Sequence, residues 1–364
     1  IRDSSYADEY VRHVLTGEPI PTAEAAFEFF EAVLDAATPE SVAAAFVDRY
    51  EATGSYSLVV VPGRDEAQAP SPAEVVAVLD EARAADLEPR EVTEAPDGEL
   101  LVAPEPASIA EEETLGAGFV QPVALRFENG VSVGLTPTSV VEGQVAFEAR
   151  SPGGMAVVPD ELVPAAQAAP QVVAESGAGT LDPVALDTFL ADREVGVAPY
   201  LEQNFEGFRG TAATSVVETL LQLVHLAMTE PRVDQVALDR YLDDQAALAE
   251  DPSVDPGYAG LDALLRARYD DPRRLLPTIE SLSEVDAEGV ERVFLERFGD
   301  ATDFAFSLAG DFDVDEVAEL VARYLGTLPA AGRVDAPDFS EPPPPEGVVI
   351  EEVRAGDGEQ ATVT

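Results

Sequence analysis

One stretch of this sequence occurs twice. Residues 38–58 read TPESVAAAFVDRYEATGSYSL and residues 286–306 read DAEGVERVFLERFGDATDFAF, and they align without a gap at an offset of 248 residues. Similar residues fall on each other at several positions: Glu40 on Glu288, Val42 on Val290, Phe46 on Phe294, Arg49 on Arg297, Tyr50 on Phe298 and Tyr56 on Phe304. Solenoid repeats have periods of roughly 20–50 residues, so the unit repeated here is a whole domain. Because one copy lies near the first residue, we expect the chain to be part of a longer tandem-domain protein.

Charge is the second strong constraint. The 364 residues include 71 acidic and 21 basic residues, and all of the basic ones are arginine, which gives a net charge of −50. Self-repulsion of this size opposes a compact state in dilute buffer and is relieved by salt. Two interpretations stay open: adaptation to brine, or a moderately acidic family member from a GC-rich genome. Under either one, nucleic acid and anionic membranes are poor partners, because few cations are present to neutralise phosphates.

The sulfur and imidazole side chains that most often bind zinc are scarce. Cysteine is absent, which removes disulfides, thiolate chemistry and sulfur-based zinc sites. The two histidines, His13 and His225, lie far apart in the sequence, so a helical two-histidine zinc motif cannot be formed. We interpret His225, within LLQLVHLAM, as a packed histidine and His13 as a surface one. No apolar run approaches the roughly 20 residues that cross a bilayer.

The first part of the chain has helical spacing. Apolar residues predict a helix over 23–36, and Thr38 followed by Pro39 predicts the start of the next helix. The run YSLVVV at 56–61 predicts a buried strand. Residues 63–117 are rich in Pro, Glu and Ala and predict an extended linker with one helix near 72–85. Within it, the acidic run 111–113 is interpreted as solvated.

A new domain is predicted from residue 118. Asn129-Gly130 between alternating flanks predicts a β-hairpin, because both turn positions tolerate positive φ. Further elements are predicted downstream: a strand at 145–149, a helix at 160–175 ended by Gly177, a helix at 215–228 opened by a capping box of Ser215 and Glu218, a strand at 304–308 and a helix at 314–324. Strands that alternate with groups of helices predict an α+β fold with a mixed, mostly antiparallel sheet covered by helices on one face.

The acidic run DFDVDE at 311–316 is similar to the opening of a calcium loop. However, Glu316 stands where the turn glycine is needed and Ala322 where the bidentate glutamate is needed. We therefore interpret the run as acidic capping of helix 314–324. Motifs of serine hydrolases, P-loop proteins and dinucleotide-binding proteins are absent from the sequence.

Three strings together resemble the pitrilysin/insulinase-type zinc peptidases. The string FLERFGDATDFAFSLAGDFDVDEVAELVARYLGTLP at 294–329 is similar to the closing strand and helix of such a domain. ENGVSVGLTPT at 128–138 is similar to its opening hairpin, and SPGGMAVVPDE at 151–161 to the segment before its metal-site helix. The resemblance implies a clam-shell of four homologous domains and divides this chain as follows: 1–62 as the end of domain two, 63–117 as the linker between halves, 118–330 as domain three, 331–346 as a Pro-rich linker and 347–364 as the start of domain four.

The active helix of this family carries H-x-x-E-H, in which two histidines bind zinc and the glutamate activates water. Aligned with this chain, the motif falls on residues 168–172. Ala168 and Val172 replace the histidines and Gln171 replaces the glutamate, so every chemical position is changed. The resemblance therefore implies no catalytic, cofactor or metal site in this chain, with zinc bound elsewhere in the full-length protein.

The expected function is the non-catalytic, substrate-enclosing portion of a zinc-dependent metalloendopeptidase. Its partners would be peptide substrates and the catalytic half of the same protein, and the resemblance favours a periplasmic or exported location. One alternative is a catalytically inactive homologue that serves as a partner subunit or scaffold. Another is an acidic binding module of a halophile. An H-x-x-E-H motif upstream would favour the peptidase over both alternatives.

If the charge is an adaptation to brine, thermal stability will rise markedly between low and molar salt. The reason is that the Debye length falls from about 10 Å at 0.1 M salt to about 3 Å at 1 M, which screens the self-repulsion. Melting temperatures measured across this range, with an uncharged osmolyte as control, test the interpretation. Melting curves that do not respond to salt would remove it.

Overall fold

The computed structural model describes residues 3–52, 56–61, 69–86, 100–116, 118, 120–251, 255–340, 342–343 and 345–355. The chain consists of two compact units, Ile1–Arg90 and Glu91–Thr364. We call them unit 1 and unit 2.

Unit 1 is helical throughout its regular structure. Its described residues form four helices, α1 (Asp3–Thr16), α2 (Ala23–Ala36), α3 (Pro39–Ala52) and α4 (Pro72–Ala84). The start of α2 is capped by the Thr22 side chain, which accepts a hydrogen bond from the amide of Ala25. Ser71 and Glu74 form a complete capping box at α4. The helices predicted at 23–36, after Thr38 and near 72–85 are therefore confirmed.

The first copy of the repeat is exposed in unit 1. α3 begins at Pro39, the counterpart of the residue at which the matching helix of unit 2 begins. Its apolar side chains face solvent, and Phe46 is 72% exposed. The prediction of a buried strand at 56–61 is wrong: this segment belongs to no sheet, and Tyr56 is fully exposed. A β-branched run becomes a buried strand only where neighbouring strands satisfy its backbone, and the described part of unit 1 contains no strand.

Unit 2 is built on a seven-stranded sheet. Its strands are β1 (Ile109–Thr114), β2 (Val123–Phe127), β3 (Ser132–Pro137), β4 (Gln144–Pro152), β5 (Val195–Leu201), β6 (Phe205–Ala213) and β7 (Ala305–Gly310). The spatial order is β1-β2-β3-β7-β4-β6-β5, in which only the β3–β7 pair is parallel. The predicted mixed, mostly antiparallel sheet is confirmed.

Eight helices accompany the sheet in the described part of unit 2. They are α5 (Val163–Ala174), α6 (Pro183–Leu190), α7 (Val217–Thr229), α8 (Gln235–Glu250), α9 (Pro256–Arg268), α10 (Ile279–Leu282), α11 (Ala287–Phe298) and α12 (Val314–Tyr324). Buried and exposed side chains alternate along β4 and β7, so one face of the sheet carries the core and the other is open. The predicted α+β class with helices on one face is confirmed.

The hairpin predicted at Asn129-Gly130 joins β2 and β3. Gly130 has a φ of +93°, which a glycine adopts without strain. The side chain of Asn129 has a second role that the amino-acid sequence does not reveal. Its amide nitrogen donates to the carbonyl oxygens of Gly326 (2.9 Å) and Leu328 (3.0 Å). The turn is thereby tied to the segment that follows α12.

Two local predictions differ from the structure. The acidic run 111–113 is solvated as expected, but it forms the edge strand β1, so part of the predicted linker belongs to the sheet of unit 2. An edge strand can carry charge on its exposed side chains, and this discourages pairing with other chains. The capping box at Ser215 and Glu218 is also wrong. Glu218 accepts a hydrogen bond from the hydroxyl of Tyr324 (2.7 Å), and α7 has no side-chain cap.

The last part of the chain has no regular structure in its described residues. Residues 331–340 form neither helix nor strand, and the same holds for 345–355, where the sequence predicts the start of another domain. Residues 361–364, read as part of that domain, lie outside the described residues. No helix in the described part of the chain combines the length and apolarity needed to span a bilayer.

The two repeat copies provide a matched pair of substitutions. Phe294 is fully buried in unit 2 and stacks on Phe298 with ring centroids 4.3 Å apart. We expect Phe294→Ala to lower the free energy of unfolding of unit 2 by about 3–5 kcal/mol, through lost burial and a cavity. Phe46→Ala, at the exposed counterpart, should change stability by no more than about 0.5 kcal/mol. Chemical denaturation followed by circular dichroism measures both, and equal effects would contradict the burial assignment.

Candidate functional site

The helix that carries the motif positions follows a tight glycine turn. Gly153 and Gly154 have φ angles of +137° and +59°, and a Cβ on Gly154 would collide with the carbonyl of Glu202 and the amide of Phe205. Only glycine fits such a close approach to the β5–β6 turn. Two short 3₁₀ turns then lead into α5, which packs against α11, α8 and the edge strand β5. The motif helix therefore lies beside one edge of the sheet.

The structure separates the three motif positions. Ala168 and Val172 are both fully buried in the core of unit 2. Gln171 is exposed, and its side-chain amide donates to Glu175 Oε1 over 3.0 Å on the next turn of the helix. Positions 168 and 172, on which the sequence alignment places the two histidines, thus share one face of α5, as the i, i+4 spacing requires. The third position points away from them into solvent.

The other polar candidates from the sequence have structural roles. His225 is half-buried on α7, and its Nδ1 lies 2.7 Å from the carbonyl oxygen of Tyr324, to which it donates. His13 is exposed on α1. Asp313 caps α12 by accepting from the amides of Asp315 (2.9 Å) and Glu316 (3.1 Å), as the capping interpretation predicts. Among the described residues, no group of three His, Asp or Glu side chains is arranged to hold a metal ion.

A cluster of mostly buried charged residues contacts the glycine turn through the amide of Gly154. We call it the Glu206 cluster, and its members are Glu206, Arg297, Asp303, Arg333 and Asp335. Glu206 is fully buried on β6 and accepts hydrogen bonds from the amide of Gly154 and from Arg297 Nη2. Arg297 Nη2 also donates to Asp335 Oδ2 (2.6 Å), and Arg333 Nη2 lies 3.5 Å from Glu206 Oε1. The cluster therefore joins β6, α11, the glycine turn and the segment that follows α12.

Burial decides the ionisation of Glu206. Removal from water raises the pKa of its carboxyl group from 4.5 to about 7, although Arg297, the Gly154 amide and Arg333 all favour the charged form. Two guanidinium groups therefore do not fully compensate the lost hydration. Near neutral pH, Glu206 is poised between its neutral and its charged form.

Sequence reasoning missed this cluster. One signal was present: the repeat keeps an arginine in both copies, Arg49 and Arg297, and the residues three and four positions earlier on the same helix face are apolar. An arginine retained among apolar residues indicates a buried partner. Its partner Glu206 is 91 residues away from Arg297 in the sequence, and no local pattern marks it.

The open face of the sheet contains a shallow groove of about 570 Å³. Its lining residues are mostly small and come from four adjacent strands, with one opposite-charge pair: Ala146, Phe147, Glu148, Gly196, Arg209, Gly210, Thr211, Ser307 and Ala309. Arg209 lies over the ring of Tyr200 at 3.9 Å and also reaches Glu202 (2.8 Å) and Glu148 (3.5 Å).

Comparisons with known proteins identify proteins similar to this chain in sequence and fold. No family model matches the sequence. The sequence is 22% identical over 217 residues to the curated protein "Probable zinc protease PqqL" of Haemophilus influenzae, and the match covers 57% of this chain and 22% of that protein. The solved structure of the periplasmic protease PqqL from Escherichia coli superposes with a TM-score of 0.59 at 21% identity, over 74% of this chain and 30% of that one.

Two further solved structures extend the match. The ferredoxin protease FusC, solved with Arabidopsis ferredoxin, gives a TM-score of 0.57 at 18% identity and covers 93% of this chain and 37% of its own. Pitrilysin gives a TM-score of 0.50 at 16% identity, over 66% of this chain and 26% of its own. The chain has the pitrilysin/insulinase-type fold. The predicted resemblance is thus confirmed, and the chain covers well under half the length of these proteins.

The motif residues of this pitrilysin/insulinase-type unit do not fit a zinc ion. The methyl group of Ala168 and the isopropyl group of Val172 have no lone pair, and both are enclosed by other side chains. The amide of Gln171 is a weak base and is turned towards Glu175. No hydrolytic step can be assigned to these residues.

The Glu206 cluster makes a prediction about pH. A carboxyl group whose pKa is raised on folding contributes stability that is fully present below its unfolded value of 4.5 and is lost as the pH rises through about 7. Glu206→Gln keeps the shape but cannot ionise. The free energy of unfolding of the wild type minus that of Glu206→Gln should therefore fall by on the order of 3 kcal/mol between pH 4.5 and pH 8.

Urea denaturation at several pH values measures this difference. Glu202→Gln controls for the loss of one negative charge. Glu202 is half-exposed and lies three residues before Phe205, where β6 begins. A difference that stays constant across the pH range would show that burial does not disfavour the charged form of Glu206.

Proposed function

We propose that this chain is the non-catalytic, substrate-enclosing portion of a zinc-dependent metalloendopeptidase of the pitrilysin/insulinase type, whose active site lies outside residues 1–364. The observation that carries the proposal is the motif helix. α5 occupies the place that follows the S-P-G-G turn, yet its ligand positions Ala168 and Val172 are hydrocarbon side chains in the core. The sequence relative is named a zinc protease, and this supports a catalytic unit elsewhere in the full-length protein.

Substrate enclosure is supported by the open face of the sheet. Its groove is lined largely by glycine, alanine, serine and threonine residues of β5, β6, β4 and β7. Small side chains let an extended peptide approach the sheet closely, and Arg209 and Glu148 offer a charge of either sign to it. Because FusC was solved with ferredoxin, protein as well as peptide substrates are included in the proposal.

The domain assignment follows from the same proposal. Residues 1–62 are assigned to the end of domain two, 118–330 to domain three, 331–346 to a linker and 347–364 to the start of domain four. Of the linker between halves at 63–117, the part from Leu100 onwards packs with unit 2 and is assigned to domain three. The exposed apolar side chains of α3 support the assignment of unit 1, because their counterparts in unit 2 are buried against a sheet. Export to the periplasm is proposed because PqqL from Escherichia coli is a periplasmic protease.

Zinc content and peptide hydrolysis test the proposal. We expect residues 1–364, purified and dialysed against zinc, to bind no stoichiometric zinc and to cleave no fluorogenic peptide, because no described motif residue can ligate the metal. The full-length protein should cleave such peptides and lose activity with a chelator. One tight zinc per chain in residues 1–364 would contradict the proposal. A folded but inactive full-length protein would favour the scaffold alternative instead.

The same full-length preparation separates enclosure from a merely structural role. A bound peptide carrying a photoreactive group should label the open face of the sheet, around Thr211 and Ser307, in the closed protein. Labelling confined to the helical side of unit 2, around α8 and α9, would refute the enclosing role.

A further inference from the structure

Residues 331–339, which we call the strap, are bound to unit 2 through their backbone. The amides of Ala331 and Arg333 donate to the two carboxylate oxygens of Asp300 over 3.1 and 2.9 Å. The amide of Gly332 donates to Thr302 Oγ1 and that of Asp335 to Asp303 Oδ2, both over 2.9 Å. Four strap amides are thus held by side chains of the loop between α11 and β7. A segment with no helix or strand is here given an ordered path.

The loop between α11 and β7 is well suited to accept hydrogen bonds from the strap. Burial alone would raise the pKa of Asp300, but hydrogen bonds from the Thr302 side chain and from the amides of Arg333, Thr302 and Ala331 together lower it below its ordinary value. The carboxylate therefore stays charged and accepts strongly from the strap. Asp303 is placed by a second contact, in which Ser151 Oγ donates to its Oδ1 over 2.9 Å.

Two strap side chains enter the Glu206 cluster. The guanidinium group of Arg333 donates to the carbonyl oxygens of Glu296 and Arg297 at the end of α11, the latter over 2.7 Å. Asp335 Oδ2 lies 2.6 Å from Arg297 Nη2 and 3.2 Å from Arg333 Nε. The carboxylate of Asp335 therefore contacts a cation of α11 and a cation of the strap itself. It is mostly buried, so salt screens these contacts less than it screens surface pairs.

The far end of the strap is held by an aromatic contact. The ring of Phe339 lies 5.5 Å from that of Phe205, the first residue of β6. The guanidinium group of Arg150 lies over the ring of Phe205 at 3.5 Å, which fixes that ring from β4. Beyond the strap, Arg268 donates to the carbonyl oxygens of Pro342 (2.8 Å) and Pro343 (3.0 Å). The chain is thus attached at successive points as it leaves unit 2.

We propose that the strap is an ordered segment bound to unit 2, rather than a free linker, and that it opens as a local unit while the sheet stays folded. The ion pairs of Asp335 with Arg297 and Arg333 hold it closed, and we call Asp335 the catch. The backbone of the strap is protected only by side-chain acceptors, and such segments open at a lower free energy than sheet ladders. When closed, it fixes where the chain leaves unit 2. When open, its nine residues add about 30 Å of reach to the chain that follows. This inference does not depend on the proposed peptidase function.

Hydrogen exchange of residues 1–364 at neutral pH, followed by mass spectrometry, tests the proposal. In the wild type, we expect peptides covering 331–335 to exchange well below the rate of an unstructured peptide, but faster than β4 and β7. Asp335→Asn keeps the shape and removes the charge at the catch. It should raise exchange over 331–335 by roughly ten-fold or more, because the ion pairs of Asp335 with Arg297 and Arg333 are replaced by weaker hydrogen bonds to a neutral amide. Exchange in β4 and β7 should not change.

The matched control lies on the same strap. Asp338 is exposed and accepts from the amide and the side chain of the nearby Ser340, so Asp338→Asn should leave exchange over 331–335 unchanged. Phe339→Ala should raise exchange over 336–340 only. Equal exchange in Asp335→Asn and Asp338→Asn would overturn the assignment of the catch. If Asp335→Asn does not fold, the wild type alone decides, since strap amides that exchange at the rate of a free peptide would refute the fastened strap.

Discussion

Burial of one face of the sheet is the constraint on which unit 2 depends. β7 lies in the interior of the sheet, parallel to β3 and antiparallel to β4, and its inward side chains include Phe306. Phe298 on α11 makes ring contacts with Phe304 before β7 and with Phe208 on β6, at centroid distances of 6.4 and 5.3 Å. This aromatic group joins the helix layer to the middle of the sheet, and burial of such large side chains outweighs any local preference. The opposite face, with no helix layer over it in the described structure, carries small and charged residues instead. Core, groove and helix placement all follow from the same division of the sheet into two faces.

The sequence predicted elements well where the signal was local. The helix expected at 314–324 and the one expected at 23–36 have the observed bounds, because amphipathic spacing and acidic or threonine caps are encoded within a few residues. The failures share one physical cause. The strand expected at 56–61 required neighbouring strands that the described part of unit 1 does not contain. The capping role expected of Glu218 is not observed, because its carboxylate accepts a hydrogen bond from Tyr324, which is distant in the sequence. The candidate site divides in the same way: the hydrocarbon character of Ala168 follows from the sequence, whereas its burial and the Glu206 cluster arise only from tertiary contacts.

The two kinds of acidic residue in this chain behave in opposite ways. Most carboxylates in the described part of the chain are exposed or partly exposed, and ion pairs such as Arg266 with Asp262 lie at the surface, where they contribute little to stability. Glu206 is enclosed, and there the lost hydration exceeds the attraction of its arginines. A buried ion pair of this kind adds little net stability, but removing one member leaves the other uncompensated, so it specifies a geometry. In unit 2 that geometry joins the Gly154 turn, α11 and the strap. A surface with so large an excess of negative charge makes such a link harder to replace by exposed pairs, because few cations remain to form them.

The same reasoning explains why the hydrocarbon side chains at positions 168 and 172 and the closed packing of α5 belong together. A helix that binds a catalytic ion must keep its ligand face open to solvent and substrate, so that face cannot contribute to a core. With Ala168 and Val172 in place, the face of α5 becomes apolar and packs against its neighbours with no exposed surface. Two imidazole rings at these positions would be too large for the closed packing and would lack polar partners there. Hydrocarbon side chains at positions 168 and 172 therefore suit α5 to a structural role in the core. Of the three positions, Gln171 has a polar side chain, and it lies on the opposite side of the helix from Ala168 and Val172.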